Sequence, residues 1–477
     1  IARRRMVNRA RILDAQLGRH RRTVHPTRWQ VRLSDPFSRG AHVHCGILKH
    51  LSAPSFRPCR CKCLLPNPLT SVTSHRDGKD YVTSDVHYSP NMRRLYPAVV
   101  LTHWFTRPAI RRAALVSACG MMVALHAQTA SREVASPLPR QSRPSNACYI
   151  GPLRRHAPTE MWQRDFTRRI NGSLPADLIS ALQDAVDEFM GRTPAASVAV
   201  AIPGVGRWAV SQGVARAEPR TPLPPNARFQ VASTTKTFTA ATILQLEAEG
   251  KLLISQSIDQ WFNDTANATI TTVDHLLRHT SGLVSFNALP SWTRDYRQPR
   301  DAIAMATERP PQFRPGSNFA YSNTGYAMLG VIIEDIDKRP LEEAFRERIS
   351  RSLGLKNTSL RYPGDDVPVV SGHIAGKPVD VPDHYATPFA AGGLASTAED
   401  LVTFWHALLS GQLVSPATVR AMFTDLAPID QGAQTFYGRG VQLYDIPQGP
   451  GLMLGHSGGI SGFTSIVAYV ADDDMFV

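Results

Sequence analysis

The basic charge and the cysteines of this 477-residue chain lie at one end, and this asymmetry limits where a fold can form. The first 160 residues hold 27 Lys and Arg against 7 Asp and Glu, together with all six cysteines. The remaining residues hold 26 basic and 32 acidic side chains, so the net charge of +14 averages a basic leader with a mildly acidic remainder. That remainder, of roughly 300 residues, is long enough to bury a substantial core.

Residues 1–108 show no sustained period of 2 or 3.6 residues, and they carry Arg runs with scattered Pro and His. Cys59, Cys61 and Cys63 alternate, which is not the C-x₂-C pair of zinc sites. We predict a disordered or non-native extension here, and no metal. An Arg-rich nucleic-acid-binding arm is the alternative. The pI near 9.8 belongs to this leader, so we expect no nucleic-acid partner for the rest of the chain.

Residues 109–127 have the pattern of a secretory signal peptide. Arg111 and Arg112 precede the mostly apolar stretch Ala113–Ala127, which closes on a small residue. The stretch is too short to span a membrane, so we expect export to the periplasm or cell envelope with no integral membrane span in the mature part. A lipoprotein cleavage site ending at Cys119 is a weaker alternative. Residues 128–172, rich in Pro, Arg and Ser, predict a linker.

From residue 173 the hydrophobic pattern becomes periodic. Helical spacing predicts helices at Leu174–Met190, Thr234–Glu249, Thr272–Leu277, Gly325–Asp337, Leu341–Leu353 and Thr397–Leu409. Apolar, β-branched runs predict strands at Ser197–Ile202, Arg207–Gln212, Gly438–Tyr444, Leu452–His456 and Phe463–Val470. Strands at both ends with helices between them indicate an α+β domain over residues 173–477, whose sheet joins distant segments.

The segment Ser233-Thr234-Thr235-Lys236 is the first candidate for chemistry. If a helix begins near Ser233, positions i and i+3 share a face, and Lys236 can lie against the Ser233 hydroxyl. A buried lysine has a lowered pKa and can accept the serine proton. The spacing alone is weak, because an N-capping serine followed by a solvated lysine would look the same.

Two further candidates follow along the chain. In Tyr321-Ser322-Asn323 an extended backbone would place Tyr321 and Asn323 on the same side, where a phenol could relay a proton and an amide could hold a substrate carbonyl. A plain surface turn is the alternative. Gly455–Gly459 fits the G-x-S-x-G elbow, which would make Ser457 a nucleophile. We reject the elbow because no histidine and no predicted helix follow it. Its glycines would instead let a substrate backbone approach.

In order along the chain, these three segments resemble the penicillin-recognising serine hydrolases, the family of class C β-lactamases, DD-peptidases and related esterases. The resemblance covers the chain from about Leu174 to its end. It extends to the blocks Phe229–Ala241, Ile270–Leu283, Phe313–Leu329, Ala391–Leu401 and Gly455–Phe463.

The resemblance implies a β-lactamase/transpeptidase-like fold, an antiparallel sheet flanked by helices with a mostly helical subdomain. It implies that Ser233 is acylated, that Lys236 and Tyr321 share the proton transfers, and that Asn323 orients Lys236 and the substrate amide. His456, Ser457, Gly458 and Gly459 would form the substrate-binding third motif. The backbone N–H groups of Ser233 and Gly459 would bind the oxyanion. No cofactor and no metal are implied.

The chain departs from the family in two places. His456 stands where class C β-lactamases have lysine, and a histidine is charged only in part at neutral pH, which puts β-lactamase activity in doubt. Family members also continue through a further strand and a C-terminal helix, which we expect this chain to lack. We therefore expect a monomeric serine acyl-hydrolase acting on D-amino-acid peptides, esters or β-lactams. A class C-type β-lactamase and a non-catalytic penicillin-binding or sensor-type protein are the alternatives.

Overall fold

The computed structural model describes residues 155–224, 226–293, 295–364, 369–379, 384–429 and 434–477. The predicted extension, the signal peptide and most of the linker lie outside these residues. The α-helices are α1 (Ala176–Met190), α2 (Thr235–Ala248), α3 (Val273–Leu277), α4 (Pro299–Thr307), α5 (Asn323–Asp337), α6 (Leu341–Phe345), α7 (Arg351–Leu353), α8 (Ala398–Leu409) and α9 (Pro416–Met422). The longer strands are β1 (Ala195–Ile202), β2 (Gly206–Arg216), β11 (Gln442–Ile446), β12 (Gly451–Ile460) and β13 (Phe463–Val470). The shorter strands are β3 (Thr221–Pro222), β4 (Phe229–Gln230), β5 (Ser359–Leu360), β6 (Gly372–Ile374), β7 (Lys377–Val379), β8 (Leu394–Ser396), β9 (Ala427–Pro428), β10 (Thr435–Tyr437) and β14 (Met475–Phe476).

Among the described residues, the largest sheet joins the two ends of the domain. Its nine strands follow the order β3-β2-β1-β14-β13-β12-β11-β10-β9, and every neighbouring pair is antiparallel. The short strand β14 connects the N-terminal hairpin to the C-terminal strands through the pairs Ala201–Phe476 and Tyr469–Phe476. The prediction of an α+β fold whose sheet joins distant segments is confirmed.

Both faces of the sheet are covered by helices. On one face α1 packs Leu178 and Leu182 against Val200 and Met453 of the sheet. On the other face lies the main core, in which α2 is buried nearly all round. Phe238 of α2 stacks on Phe404 of α8, with ring centroids 3.7 Å apart and planes within 11°. Helix α2 is therefore held rigidly at the centre of the domain.

The threonines of α2 explain how a partly polar helix can be so deeply buried. The hydroxyl of Thr237 donates to the carbonyl of Gly440 at 2.7 Å, and that of Thr239 donates to the carbonyl of Ala390 at 2.7 Å. Gly440 has a φ of +70°, and a Cβ there would lie 2.3 Å from the Cβ of Ala240. Only glycine allows this close approach of a loop to the helix.

The predicted elements exist, with differences at their ends. The helix predicted at Leu341–Leu353 contains a π-helical turn at Arg346–Ser350. The strand predicted from Gly438 begins at Gln442, because Gly438 to Val441 form a hydrogen-bonded turn. Helices α4 and α9, which both begin at a proline, escaped the prediction.

The structure corrects the predicted linker. Residues 155–172 pack on the domain, because Arg155 exchanges two backbone hydrogen bonds with Leu426, and Met161 and Phe166 are buried. The ring of Phe166 meets that of Tyr469 edge to face at 4.9 Å. Pro and Arg in this segment gave it the composition of a linker, although its few apolar residues are core residues. No helix of the described part combines the length and apolar character needed to cross a membrane.

Candidate active site

Ser233 lies on a tight turn that leads from β4 into α2. The turn, Ala232–Thr234, is a single 3-10 turn that begins with Ala232 at a φ of 46°, a left-handed conformation that alanine rarely adopts. The hydroxyl of Thr235 closes it by donating to the carbonyl of Ala232 at 2.7 Å. Strand β13 holds it from the other side, because Ser465 Oγ donates to Val231 O at 2.6 Å. Strained backbone held by surrounding bonds is a common feature of active sites.

Lys236 lies one turn further along α2 and is completely buried. Its Nζ is 3.2 Å from Ser233 Oγ, 2.7 Å from Asn323 Oδ1 and 2.7 Å from Ala391 O. Within the described residues no carboxylate forms an ion pair with this amine. Because burial is uncompensated by negative charge, the pKa of Lys236 is lowered well below its ordinary value.

The three oxygens around Lys236 fit an amine that exchanges a proton with Ser233. Asn323 Oδ1 and Ala391 O can only accept hydrogen bonds, so they take the two N–H groups of a neutral amine. The nitrogen lone pair is then left for the hydroxyl of Ser233. If the amine takes that proton, the ammonium has three N–H groups for the same three oxygens, so no partner has to move.

Tyr321 and Asn323 both reach Lys236, as the family resemblance implies. The ring centroid of Tyr321 lies 4.7 Å from Lys236 Nζ, a cation–π distance. Ser322 between them is extended and caps α5 by accepting from Gly325 N, so Asn323 is the first residue of that helix. Two side chains of one short segment thus meet the same amine from different directions. The proton-transfer roles of these side chains remain predictions.

The third motif lies on β12, and its histidine is uncharged. His456 is completely buried, and burial together with the nearby Lys236 lowers its pKa to about 3. Its Nδ1 is 2.7 Å from Ser457 O, which can only accept, so the ring proton lies on Nδ1. Nε2 therefore accepts from the hydroxyl of Tyr437 at 3.1 Å. Burial, which the sequence does not show, favours a neutral ring over the partly charged one expected at neutral pH.

Ser457 does not occupy a nucleophile elbow. Its N and Oγ both donate to Gln442 Oε1, at 2.8 and 3.1 Å. Strand β12 continues to Ile460 and returns directly as β13, where an elbow would require a helix. The rejection of the elbow from the sequence is confirmed.

Glycine is required at position 458 by contacts within the protein, whereas the sequence suggested only room for a substrate backbone. A Cβ at this position would lie 2.2 Å from Val231 O and 2.9 Å from Ser233 N. The glycine therefore lets β12 approach the turn that carries Ser233, in addition to any approach of substrate. Gly459 is the exposed residue of this strand and pairs with Thr464 of β13.

The sequence did not predict two contacts of the site. One is the carbonyl of Ala391, which accepts from Lys236 and which no sequence motif could reveal, since every residue carries a carbonyl. The other is Asn287, whose Oδ1 accepts from Asn323 Nδ2 at 2.9 Å. The described residues hold no group of three or more His, Cys, Asp or Glu side chains placed to bind a metal ion.

A serine on the turn before a central helix and a buried lysine on that helix, beside an antiparallel sheet, define the class of β-lactamase/transpeptidase-fold serine hydrolases. The sequence model of the Beta-lactamase family matches residues 182–477. The chain therefore belongs to the Beta-lactamase family, and its fold is that of the β-lactamases and transpeptidases. The recognition made from the sequence blocks is confirmed.

Curated relatives and solved structures show the range of the family. The chain is 27% identical over 282 residues to penicillin-binding protein 4* of Bacillus subtilis, covering 54% of this chain and 62% of that protein. It is 26% identical over 312 residues to esterase EstB of Burkholderia gladioli, covering 55% of this chain and 78% of that protein. A D-amino acid amidase from Ochrobactrum anthropi is 27% identical, with a TM-score of 0.57. The match covers 63% of this chain and 90% of the amidase chain.

The first curated relatives are longer than the region that this chain matches. The chain spans less than two thirds of the first curated relatives it matches, 62% of penicillin-binding protein 4* for example. An octameric penicillin-binding protein homologue from Pyrococcus abyssi is 26% identical, with a TM-score of 0.53. The match covers 62% of this chain and 72% of the homologue's chain. The expectation that this protein is a monomer stays a prediction.

Proposed function

We propose that this chain hydrolyses amides and esters that carry no carboxylate through an acyl-enzyme on Ser233, with D-amino-acid amides as the first substrate class to test. The observation that carries the proposal is the environment of Lys236, a buried amine 3.2 Å from Ser233 Oγ whose two other contacts are acceptors only. A general base of this kind contributes about 10²- to 10⁴-fold to a rate.

In the proposed reaction Lys236 takes the Ser233 proton while Oγ attacks the substrate carbonyl. The C–O bond forms as the carbonyl electrons move to oxygen, which the backbone N–H groups of Ser233 and Gly459 stabilise. When the bond to the leaving group breaks, the Lys236 ammonium returns the proton to it, with Tyr321 beside the amine on that route. Water then hydrolyses the acyl ester by the same transfers.

The preference for substrates without a carboxylate is supported by His456. A substrate carboxylate is bound best by a fixed cation, and the third motif presents a buried ring whose pKa is about 3. This disfavours the class C β-lactamase alternative, in which a lysine occupies the position. The D-amino acid amidase and the esterase among the similar proteins agree with an amide or ester substrate.

Covalent labelling tests the nucleophile. We expect a fluorescent fluorophosphonate to label the protein, Ser233→Ala to abolish labelling, and Lys236→Arg to slow it by about 10²-fold or more, because a guanidinium cannot act as a base. Labelling that survived in the Ser233→Ala variant would refute the assignment. Stable labelling without turnover of any substrate would favour the non-catalytic sensor-type alternative.

Steady-state assays test the substrate class. The panel is D-phenylalanine amide, L-phenylalanine amide, p-nitrophenyl butyrate and nitrocefin, each with the Ser233→Ala variant as the blank. We expect the highest kcat/KM on the D-amide or the ester, and little on nitrocefin, whose carboxylate finds no fixed charge at His456. Fastest turnover of nitrocefin would overturn the substrate proposal while leaving the nucleophile intact.

We propose, as a separate point, that the protein is exported to the periplasm or cell envelope. The support is the basic pair Arg111-Arg112 before the apolar stretch Ala113–Ala127, together with similarity to bacterial penicillin-binding proteins. Cell fractionation of the full chain and of a variant lacking residues 109–127 tests it. Equal retention of both in the cytoplasm would contradict export.

A further inference from the structure

A closed set of hydrogen bonds surrounds the first residue of α5. The backbone N–H of Asn323 donates to Ser285 Oγ at 2.9 Å, and Ser285 Oγ donates to Asn287 Oδ1 at 2.7 Å. The same Asn287 Oδ1 accepts from Asn323 Nδ2 at 2.9 Å. Three side chains and one backbone group therefore form a ring on the side of Asn323 that faces away from Lys236.

The hydrogen bonds of this ring favour one orientation of the Asn323 amide. Ser285 Oγ accepts from the backbone N–H of Asn323 and donates to Asn287 Oδ1. The oxygen of Asn287 is thereby presented to Asn323. An oxygen can accept but not donate, so the atom of Asn323 that faces it must be Nδ2, and Oδ1 is turned toward Lys236 at 2.7 Å.

The loop that carries Ser285 and Asn287 is anchored independently of these bonds. It includes the 3-10 turn Phe286–Ala288, whose phenylalanine is buried in the main core. Phe286 N donates to Thr324 Oγ1 at 2.9 Å, and Thr324 Oγ1 donates to Val284 O at 2.7 Å. The loop and the first turn of α5 thus form one rigid unit, so Asn287 itself can be exposed without being free to move away.

We propose that Ser285 and Asn287 are positioning residues for acylation, which act by holding the Asn323 oxygen toward Lys236. This inference rests on the proposed function of Ser233 and Lys236. If the Asn323 amide turned over, Nδ2 would face the Lys236 amine, donor against donor. The amine would then lose one acceptor and would turn an N–H toward Ser233 Oγ, where its lone pair is needed to take the proton.

Pre-steady-state acylation by p-nitrophenyl butyrate tests the role. We expect Asn287→Ala to lower the acylation rate constant by about tenfold or more, the size of a lost hydrogen bond to a charged or reacting group, with KM changed less than about twofold. Asn287→Asp keeps the acceptor and should recover most of the rate. Its rate profile should move to higher pH, because the added negative charge raises the pKa of Lys236.

A double-mutant cycle separates positioning from direct contact with substrate. In an Asn323→Ala background, Asn287→Ala should have no further effect, because its route of action is gone. The exposed Asn263→Ala serves as the matched control, and its acylation rate should equal that of the parent. Multiplicative effects in the cycle, or a raised KM with unchanged acylation, would overturn the proposal and assign Asn287 to substrate binding.

Fluorophosphonate labelling separates the positioning role of Asn287 from the proposed function of Ser233. Fluorophosphonate labelling that depends on Ser233 but is equally fast in the parent and Asn287→Ala would sink the positioning role alone. Labelling independent of Ser233 would remove the proposed function, and the positioning role with it. Because Asn287 is exposed, thermal unfolding should show the variants to be folded at the assay temperature.

Discussion

At the scale of single residues, the site depends on burial without compensating charge. Lys236 and His456 are both completely buried, and the pKa of each is lowered, because within the described residues neither forms an ion pair. The same physical effect acts on both side chains. It favours the neutral amine of Lys236 and the neutral ring of His456.

The buried histidine predicts how stability depends on pH. The pKa of His456 is about 3 in the folded protein against an ordinary 6.5, so between these values the unfolded chain binds a proton that the folded chain does not. The free energy of unfolding therefore falls as the pH drops below about 6.5, by up to ~1.4 kcal/mol per pH unit. His279, whose pKa is also lowered by burial, acts in the same direction.

Urea unfolding between pH 7 and pH 4 measures this dependence. In His456→Gln the slope of the unfolding free energy against pH should be shallower than in the parent, by about one proton below pH 5.5. The difference between the two slopes is the readout, since other groups contribute equally to both. Parallel slopes would show that His456 titrates in the folded protein as it does in the unfolded chain.

At the scale of elements, the site is built where a strand approaches a helix N-terminus. Strand β12 passes the turn before α2 so closely that Gly458 has no room for a side chain. Ser465 of the adjacent strand bonds both to Val231 O and to Thr234 Oγ1, so the sheet and the turn are joined on each side of Ser233. The distance between the nucleophile and the proposed oxyanion donor is therefore set by packing between elements.

Gly458→Ala should disturb this distance. A methyl group 2.2 Å from Val231 O must push β12 away from the turn, and overpacking of this kind costs about 1–3 kcal/mol. We expect slower fluorophosphonate labelling of Ser233 and a lower unfolding midpoint. Gly191→Ala is the matched control, because a Cβ there would meet only Glu188 O at an ordinary 3.5 Å. Equal labelling rates in the two variants would count against the close-approach argument.

The sequence predicts elements and motif residues here better than it predicts contacts. The hydrophobic pattern predicted α2 and β13, and helical spacing predicted that Lys236 lies against Ser233. That Asn323 meets Lys236 was implied by the family resemblance. The acceptor at Ala391 O could not be found, because it belongs to the backbone of a distant loop. The neutral state of His456 could not be found either, since it arises from burial by elements far apart in the chain. Asn287 carries no motif, and only its hydrogen bonds show its place.

At the scale of the whole molecule, the sheet depends on segments that are distant along the chain. The N-terminal hairpin reaches the C-terminal strands through two residues of β14. The segment 155–172 adds a second connection, because Arg155 pairs with Leu426 and Phe166 packs on Tyr469. Residues that precede the family match at 182 are thus part of the folded unit.

Truncation tests whether the segment 155–172 is structural. A fragment of residues 155–477 keeps the described contacts of the segment, whereas one of residues 173–477 loses the buried side chains of Met161 and Phe166. Removing a buried side chain costs about 2–5 kcal/mol for Met and 3–5 for Phe, so the shorter fragment should unfold at much lower urea concentration or fail to fold. Phe166→Ala in the longer fragment keeps the test informative if the shorter one cannot be purified, and we expect it to lower the unfolding free energy by ~3 kcal/mol or more. If the fragment 173–477 and the Phe166→Ala variant both unfold as the fragment 155–477 does, the segment 155–172 is a linker. Fluorophosphonate labelling of Ser233 in the fragment 155–477 would show that the working site lies within residues 155–477.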